Sequence, residues 1–169
     1  MRLQIPVTLR WADLDAYGHV NNVEALRLLE EARIAAFWRH GPGSTPTAVI
    51  ESGPGAATHT FVAATEVEYL APLGYHREPV IVELWIGHLG GASIDVCYRV
   101  LAPAEPRTPG AALTGSPVAP ADLVAHVHAR TTMVMVDAGT GRPRRLTDGE
   151  RAAWLPYVED PVVFRRRRR

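Results

Sequence analysis

Residues 10 to 33 read RWADLDAYGHVNNVEALRLLEEAR, and the fold turns on this stretch. An alternating segment delivers two acids, Asp13 and Asp15, a Gly-His pair and two asparagines follow, and an apolar helical pattern then begins. A helix start exposes unpaired backbone N–H groups and carries about half a positive charge. A carbonyl placed there would be polarised, and a carboxylate a few residues upstream could attack it or activate a water against it. Spacing alone leaves open which acid would do so, since two acids crowded at one site would repel and raise one pKa.

Asn21 is the expected N-cap of the helix, with Glu24 at the third helical position as its capping-box partner. From there to about His40, leucines, alanines, Phe37 and Trp38 leave only a narrow polar side marked by Glu24, Arg27 and Glu31. So apolar a helix must be packed on more than one side. Gly41-Pro42-Gly43 is expected to end it.

Outward from this centre, residues 3 to 11 alternate as a strand, and Pro6 marks it as an edge or a bulge. Beyond the helix, a Gly/Pro/Ser/Ala-rich loop runs to about Thr58, with a short helical turn expected near Ala48 to Glu51. Four strand patterns follow: His59 to Leu70, Pro79 to His88, Ala92 to Leu101 and Leu123 to Val136. The Pro/Gly/Ala-rich stretch from Pro103 to Ala121 reads as a mobile insertion. A short helix is expected from Thr147 to Trp154, opened by the Thr147/Glu150 capping box. One long helix and a meander of strands predict an α+β fold, its antiparallel sheet curled to cover the helix.

At 169 residues and 47% hydrophobic content, the chain is expected to form one domain over residues 1 to 164. Formal charge sums to zero, yet every basic residue is Arg and five of the 18 form the run Arg165 to Arg169. The remaining body holds 13 basic against 18 acidic residues. Nucleic acid is therefore not an expected partner, because such affinity comes from basic groups neutralising phosphates. The basic tail reads as a disordered, solvated end. No stretch approaches the ~18 to 20 apolar residues of a membrane span, and the first residues lack a signal-peptide hydrophobic region, so the expected location is cytoplasmic.

Cys97 lies in an alternating apolar segment and reads as a buried structural thiol. His126 and His128 alternate along one strand, and His76 and His88 lie at strand ends. None has metal-ligand spacing, so no metal site is expected. Ser93 lacks the Gly-x-Ser-x-Gly elbow, and Gly139-Thr140-Gly141 ends in Arg-Pro, which cannot open a dinucleotide-binding helix.

Asp13, Asp15, Gly18-His19-Val20-Asn21-Asn22 and Glu30 to Arg33 together resemble the opening motif of the hotdog-fold acyl thioesterases of the 4-hydroxybenzoyl-CoA thioesterase type. Glu68-Tyr69-Leu70-Ala71-Pro72 and the Val136-Asp137 turn with Gly141-Arg142-Pro143 are more loosely similar. The resemblance implies a curved antiparallel sheet around one long central helix, a homodimer or homotetramer with interfacial sites, and an acyl-CoA substrate hydrolysed without a cofactor.

Carried over by position, Asp15 matches the catalytic carboxylate, as nucleophile or general base. The Asn22 N–H matches the group that polarises the thioester carbonyl. His19 is the third candidate catalytic residue, either orienting the loop or substrate or transferring a proton directly. It matches a residue implicated in related plant acyl-ACP thioesterases, although Tyr17 stands where those enzymes carry Asn. Gly18 and Tyr17 are the expected substrate contacts, and Asp13 takes a structural role in the turn. Arg130, Arg142, Arg144 and Arg145 are candidates for the coenzyme A phosphates. Alternatives are an acyl-ACP thioesterase, a non-catalytic acyl-CoA sensor, or a hydratase, which would want a different Asp/His motif.

Overall fold

The computed structural model describes residues 1–51, 53–104 and 122–165. The expected mobility of 103–121 and disorder of 165–169 therefore fall largely outside the described residues. Five strands form one antiparallel sheet: β1 (Leu3–Val7), β2 (Thr58–Tyr69), β3 (Val80–Leu89), β4 (Ser93–Pro103) and β5 (Leu123–Asp137). Their spatial order is β1-β3-β4-β5-β2, so β1 and β2 are the two edges. Pro6 sits in β1 opposite Ile81, tolerated because an edge strand has one side with no ladder to complete.

Helix α1 (Asn22–Phe37) packs on one face of this sheet. Its Leu28, Leu29, Ala32, Ala36 and Phe37 join Val82, Leu84 and Ile86 of β3, Ile94, Val96, Tyr98 and Val100 of β4, and Ala129, Met133 and Met135 of β5 in one core. The inward residues of each strand are spaced by two, as pleating demands. An antiparallel five-stranded sheet packed on a helix is the hotdog-type arrangement. The predicted strands sit within one or two residues of the observed ones, apart from β1, which stops at Val7.

Helix α1 ends at Phe37, short of the expected His40. Trp38 is already extended, and its neighbours explain why. The Thr45 and Thr47 hydroxyls both donate to the Ala36 carbonyl, at 2.7 and 2.5 Å, and Trp38 bridges Ile50. These side chains satisfy the helix end before its glycine signal is reached. The helical turn expected at Ala48 to Glu51 is absent, because the Ile50 N–H is used by the Phe37 carbonyl at 3.0 Å.

Register shifts interrupt all three long ladders: at Val62/Ala64 in β2, at Ile86/His88 in β3, and between β4 and β5, where Val100 opposes Val127 but Leu101 opposes Ala125. Bulges bend and twist a strand locally. Gly87 is the extra residue in β3, and a Cβ there would lie 2.6 Å from the Cys97 sulfur and 3.2 Å from the Pro161 backbone. The bulge thus doubles as a close-packing point.

The outer face of the sheet is covered by the segment after α2 (Asp148–Trp154). Val158 bridges Ile86, the Trp85 indole donates to the Asp160 carbonyl at 2.9 Å, and the Arg165 N–H reaches the Glu68 carboxylate at 3.1 Å. Cys97 is fully buried beneath it beside Trp85 and Val162, and burial pushes its thiol pKa up. The structural reading of this cysteine holds. Among the described residues no helix is long and apolar enough to cross a membrane.

Candidate active site

The loop before α1 is closed by a bridge between Leu14 and Val20. Within it the Asp15 N–H donates to the His19 carbonyl at 2.8 Å, and the Gly18 N–H to the Asp15 carbonyl at 3.1 Å. Gly18 adopts φ +77° with open space around it. Its necessity is therefore the left-handed turn that L-residues resist.

This tight turn aims two backbone amides at the Asp15 carboxylate. Tyr17 N–H and His19 N–H donate to Oδ1 at 2.8 and 3.1 Å, a charge-assisted arrangement that holds the side chain still. Among the described residues Oδ2 carries no hydrogen bond, which leaves it to face a reactant. Tyr17 contributes through its backbone; its side chain is 85% exposed and, like Gly18, is not among the groups lining the cleft.

Asp13 does different work. It is fully buried, and its carboxylate accepts from the Arg10 N–H at 2.7 Å, the Arg10 guanidinium at 2.8 Å and the Arg27 guanidinium at 2.5 Å. Burial pushes its pKa up, but the Arg10 bonds and the two guanidinium charges outweigh it and hold the carboxyl below its ordinary value. Arg27 lies in the second turn of α1 and also pairs with Glu24 at 2.7 Å. Asp13 is thus a clamp from the loop onto the helix, as its expected structural role required.

The helix start is fixed from the same side. Asn21 caps it, its side chain accepting from Val23 N–H at 2.9 Å and its own N–H donating to the Asp13 carbonyl at 2.8 Å. The expected capping box does not form: the Asn21 side chain takes the N–H of Val23 rather than of Glu24, and Glu24 turns to Arg10 and Arg27, because the Asp13 carbonyl has already satisfied the Asn21 N–H. Asn22 is the first helical residue, so its N–H has no intrahelical acceptor. Among the described residues no other group accepts it either.

Asp15, His19, Val20 and Asn22 line one cleft of about 320 Å³. Its other wall is the end of β2 and the residues after it, Tyr69 to Leu73. The Tyr69 hydroxyl donates to the Asn22 carbonyl at 3.2 Å, and burial pushes its pKa above the ordinary range, so it remains a neutral donor. The Val20 N–H donates to the Leu73 carbonyl at 2.7 Å, tying the two walls together. Cavities of similar size, about 340 and 360 Å³, lie between α1 and β2. Chemistry rather than volume singles out the cleft that holds a carboxylate beside a helix start.

Tyr69 and the Leu70–Leu73 wall had no assigned role in the sequence reading. Their signal was the Glu68-Tyr69-Leu70-Ala71-Pro72 similarity, where a strand runs into a proline. Two of the arginines proposed for coenzyme A are otherwise engaged: Arg144 forms paired bonds to Glu150 and Arg130 pairs with Glu66 at 2.9 Å. Among the described residues no group of three or more His, Cys, Asp or Glu could hold a metal ion.

Solved structures share this architecture. A thioesterase of Thermus thermophilus, complexed with coenzyme A and Zn, is 25% identical over 94% of this chain and 96% of its own, with a TM-score of 0.63. A predicted thioesterase from Bacillus stearothermophilus is 19% identical over 96% and 100%, with a TM-score of 0.67. A thioesterase superfamily protein of Jannaschia sp. CCS1 is 19% identical over 94% and 93%, with a TM-score of 0.66. No curated protein sequence matches the chain. Residues 9–156 match the family profile of the Thioesterase-like superfamily. This span takes in the loop, the helix and every strand except β1, so the chain belongs to the Thioesterase-like superfamily and is a thioester hydrolase.

Proposed function

We propose that the protein is an acyl-CoA thioesterase of the 4-hydroxybenzoyl-CoA thioesterase type, with its catalytic unit in residues 1 to 164 and its sheet wrapped around α1 as a hotdog domain. The observation that carries this reading is that Asp15 and Asn22, at the two ends of one tight loop, line the same cleft. The thioester carbonyl oxygen accepts the Asn22 N–H, where the helix dipole favours developing negative charge. Asp15 Oδ2 attacks the carbonyl carbon or takes a proton from the attacking water. By the first route the C–S bond breaks to leave an acyl–Asp15 anhydride that water then hydrolyses; by the second the water oxygen bonds the carbonyl carbon and the C–S bond breaks. On either route the departing thiolate takes up a proton supplied by water, and the free acid and coenzyme A are released. His19, exposed and lining the cleft, orients the substrate or transfers a proton, while Tyr17 and Gly18, the other expected contacts, lie outside the cleft lining.

The test is thiol release from acetyl-, palmitoyl- and benzoyl-CoA. Asp15→Asn keeps the size of the side chain and should lower kcat by at least ~100-fold with acyl-CoA binding retained. Near-normal turnover in that variant would remove Asp15 from the chemistry.

The site also points to a homodimer. Edge strand β2 is 12 residues long and exposes Phe61 at 56% and Val62 at 50%, beside the exposed Val23, Leu26 and Ile34 of α1. An open, apolar edge of that length is what proteins cover, and a second copy pairing along β2 would cover it at the cleft.

A further inference from the structure

We infer that His126 is a positioning residue for the cleft, holding the Leu70–Leu73 wall against the catalytic loop; this inference rests on the proposed thioesterase site. His126 is the extra residue at the β4/β5 register shift, flanked by Ala125 and Val127, which pair with Leu101 and Val100. A bulge re-aims the side chain it carries. Here it sends an imidazole that is 1% exposed toward the cleft wall rather than into the sheet ladder.

Three contacts join His126 to that wall. Its backbone carbonyl accepts the N–H groups of Leu70 at 2.8 Å and Ala71 at 3.4 Å, and its Nδ1 lies 2.8 Å from the Pro72 carbonyl. A carbonyl only accepts, so Nδ1 carries the proton in this bond. On the other side Nε2 lies 3.2 Å from the Pro103 carbonyl; with the proton on Nδ1 this is a packing contact against the end of β4, and the hydrogen bond runs to the wall. The next residues pass the constraint on. The Leu73 carbonyl holds the Val20 N–H at 2.7 Å, and Gly74 bridges His19, whose own N–H donates to the Asp15 carboxylate.

Proline strengthens the case. Pro72 has no N–H and cannot be anchored through one, so its carbonyl is the handle by which the turn is held. Removing the Nδ1 donor frees that handle while leaving Asp15, Asn22 and the cleft lining unaltered in sequence. Displacement by about 1 Å in a catalytic constellation costs up to ~100-fold in rate.

The experiment compares His126→Asn, whose amide nitrogen occupies the Nδ1 position, with His126→Gln, whose nitrogen reaches the Nε2 position, and with His126→Leu. Thiol release is measured on whichever of acetyl-, palmitoyl- and benzoyl-CoA the wild type turns over fastest. Hydrogen exchange at the Val20 amide is measured in parallel. Expected are a ~10- to 100-fold loss of kcat with KM little changed in the Leu and Gln variants, rescue by Asn, and faster Val20 exchange only where kcat falls. Full activity in His126→Leu, or Asn no better than Gln, overturns the inference. If the Leu variant does not fold, the Asn and Gln pair decides. Should the wild type cleave no acyl-CoA, the thioesterase reading fails by itself, and Val20 exchange still shows whether His126 holds the wall.

Discussion

Asp13 and Asp15 are two positions apart and chemically identical, yet one is a buried clamp and the other a half-buried carboxylate facing a cleft. Their surroundings separate them: two guanidinium groups surround Asp13, and two backbone amides hold Asp15. Because the folded Asp13 carboxyl titrates below its ordinary 3.8, its stabilisation is complete above that value and is lost as pH falls through the lower, folded one. Asp13→Asn should cost about 2 kcal/mol near neutral pH, leaving Arg27 without its buried partner. Urea denaturation should show that deficit shrinking as pH falls below the ordinary 3.8, where the unfolded carboxyl takes up its proton first, and gone once the folded carboxyl is protonated as well. A deficit independent of pH would show that packing, not charge, is what Asp13 supplies. The division of labour was legible only through the family resemblance, since spacing alone could not say which acid would meet the arginines.

At the scale of elements, local signals worked where the answer lay within a few residues. The Thr147/Glu150 capping box forms in full at the start of α2, because Glu150 Oε2 accepts the Thr147 N–H while the carboxylate still holds Arg144. At α1 the same logic met a competitor: Asp13 took the Asn21 N–H and two arginines took Glu24. The end of α1 shifted for a comparable reason, as Thr45 and Thr47 return from a loop to take the Ala36 carbonyl. Strand β2 carries a prediction of its own. If its edge pairs with a second copy, Phe61→Asp should convert the dimer to monomer in sedimentation velocity and reduce turnover with it, because a charge would be buried unpaired in the interface. A dimer that survives this change would place the contact elsewhere.

Across the whole molecule, His76 reports how distant segments meet. It is 4% exposed, and burial together with the nearby His126 holds its pKa below the ordinary 6.5, against a smaller opposing pull from Glu78. The charged form is thus disfavoured in the folded state. Stability should be full above about pH 6.5 and fall as pH drops toward the folded value, because unfolded His76 takes up the proton first. Melting temperatures between about pH 8 and pH 5 should show this decline, flattened in His76→Gln. An unchanged slope in the variant would assign the decline to other groups.

The sequence by itself determined the long strands, the helix N-caps Asn21 and Thr147 and the acid-bearing loop, since alternation and capping each act over a handful of neighbouring residues. Tertiary structure decided what no local rule encodes. The order β1-β3-β4-β5-β2 brings Tyr69 to Asn22 across 47 positions, and a bulge opposite Val100 and Leu101 turns His126 onto Pro72, 54 positions away. Such meetings depend on sheet order and register, which the sum of many weak packing contacts sets over the whole chain. The carboxylate was therefore readable before the fold, and the wall that faces it was not.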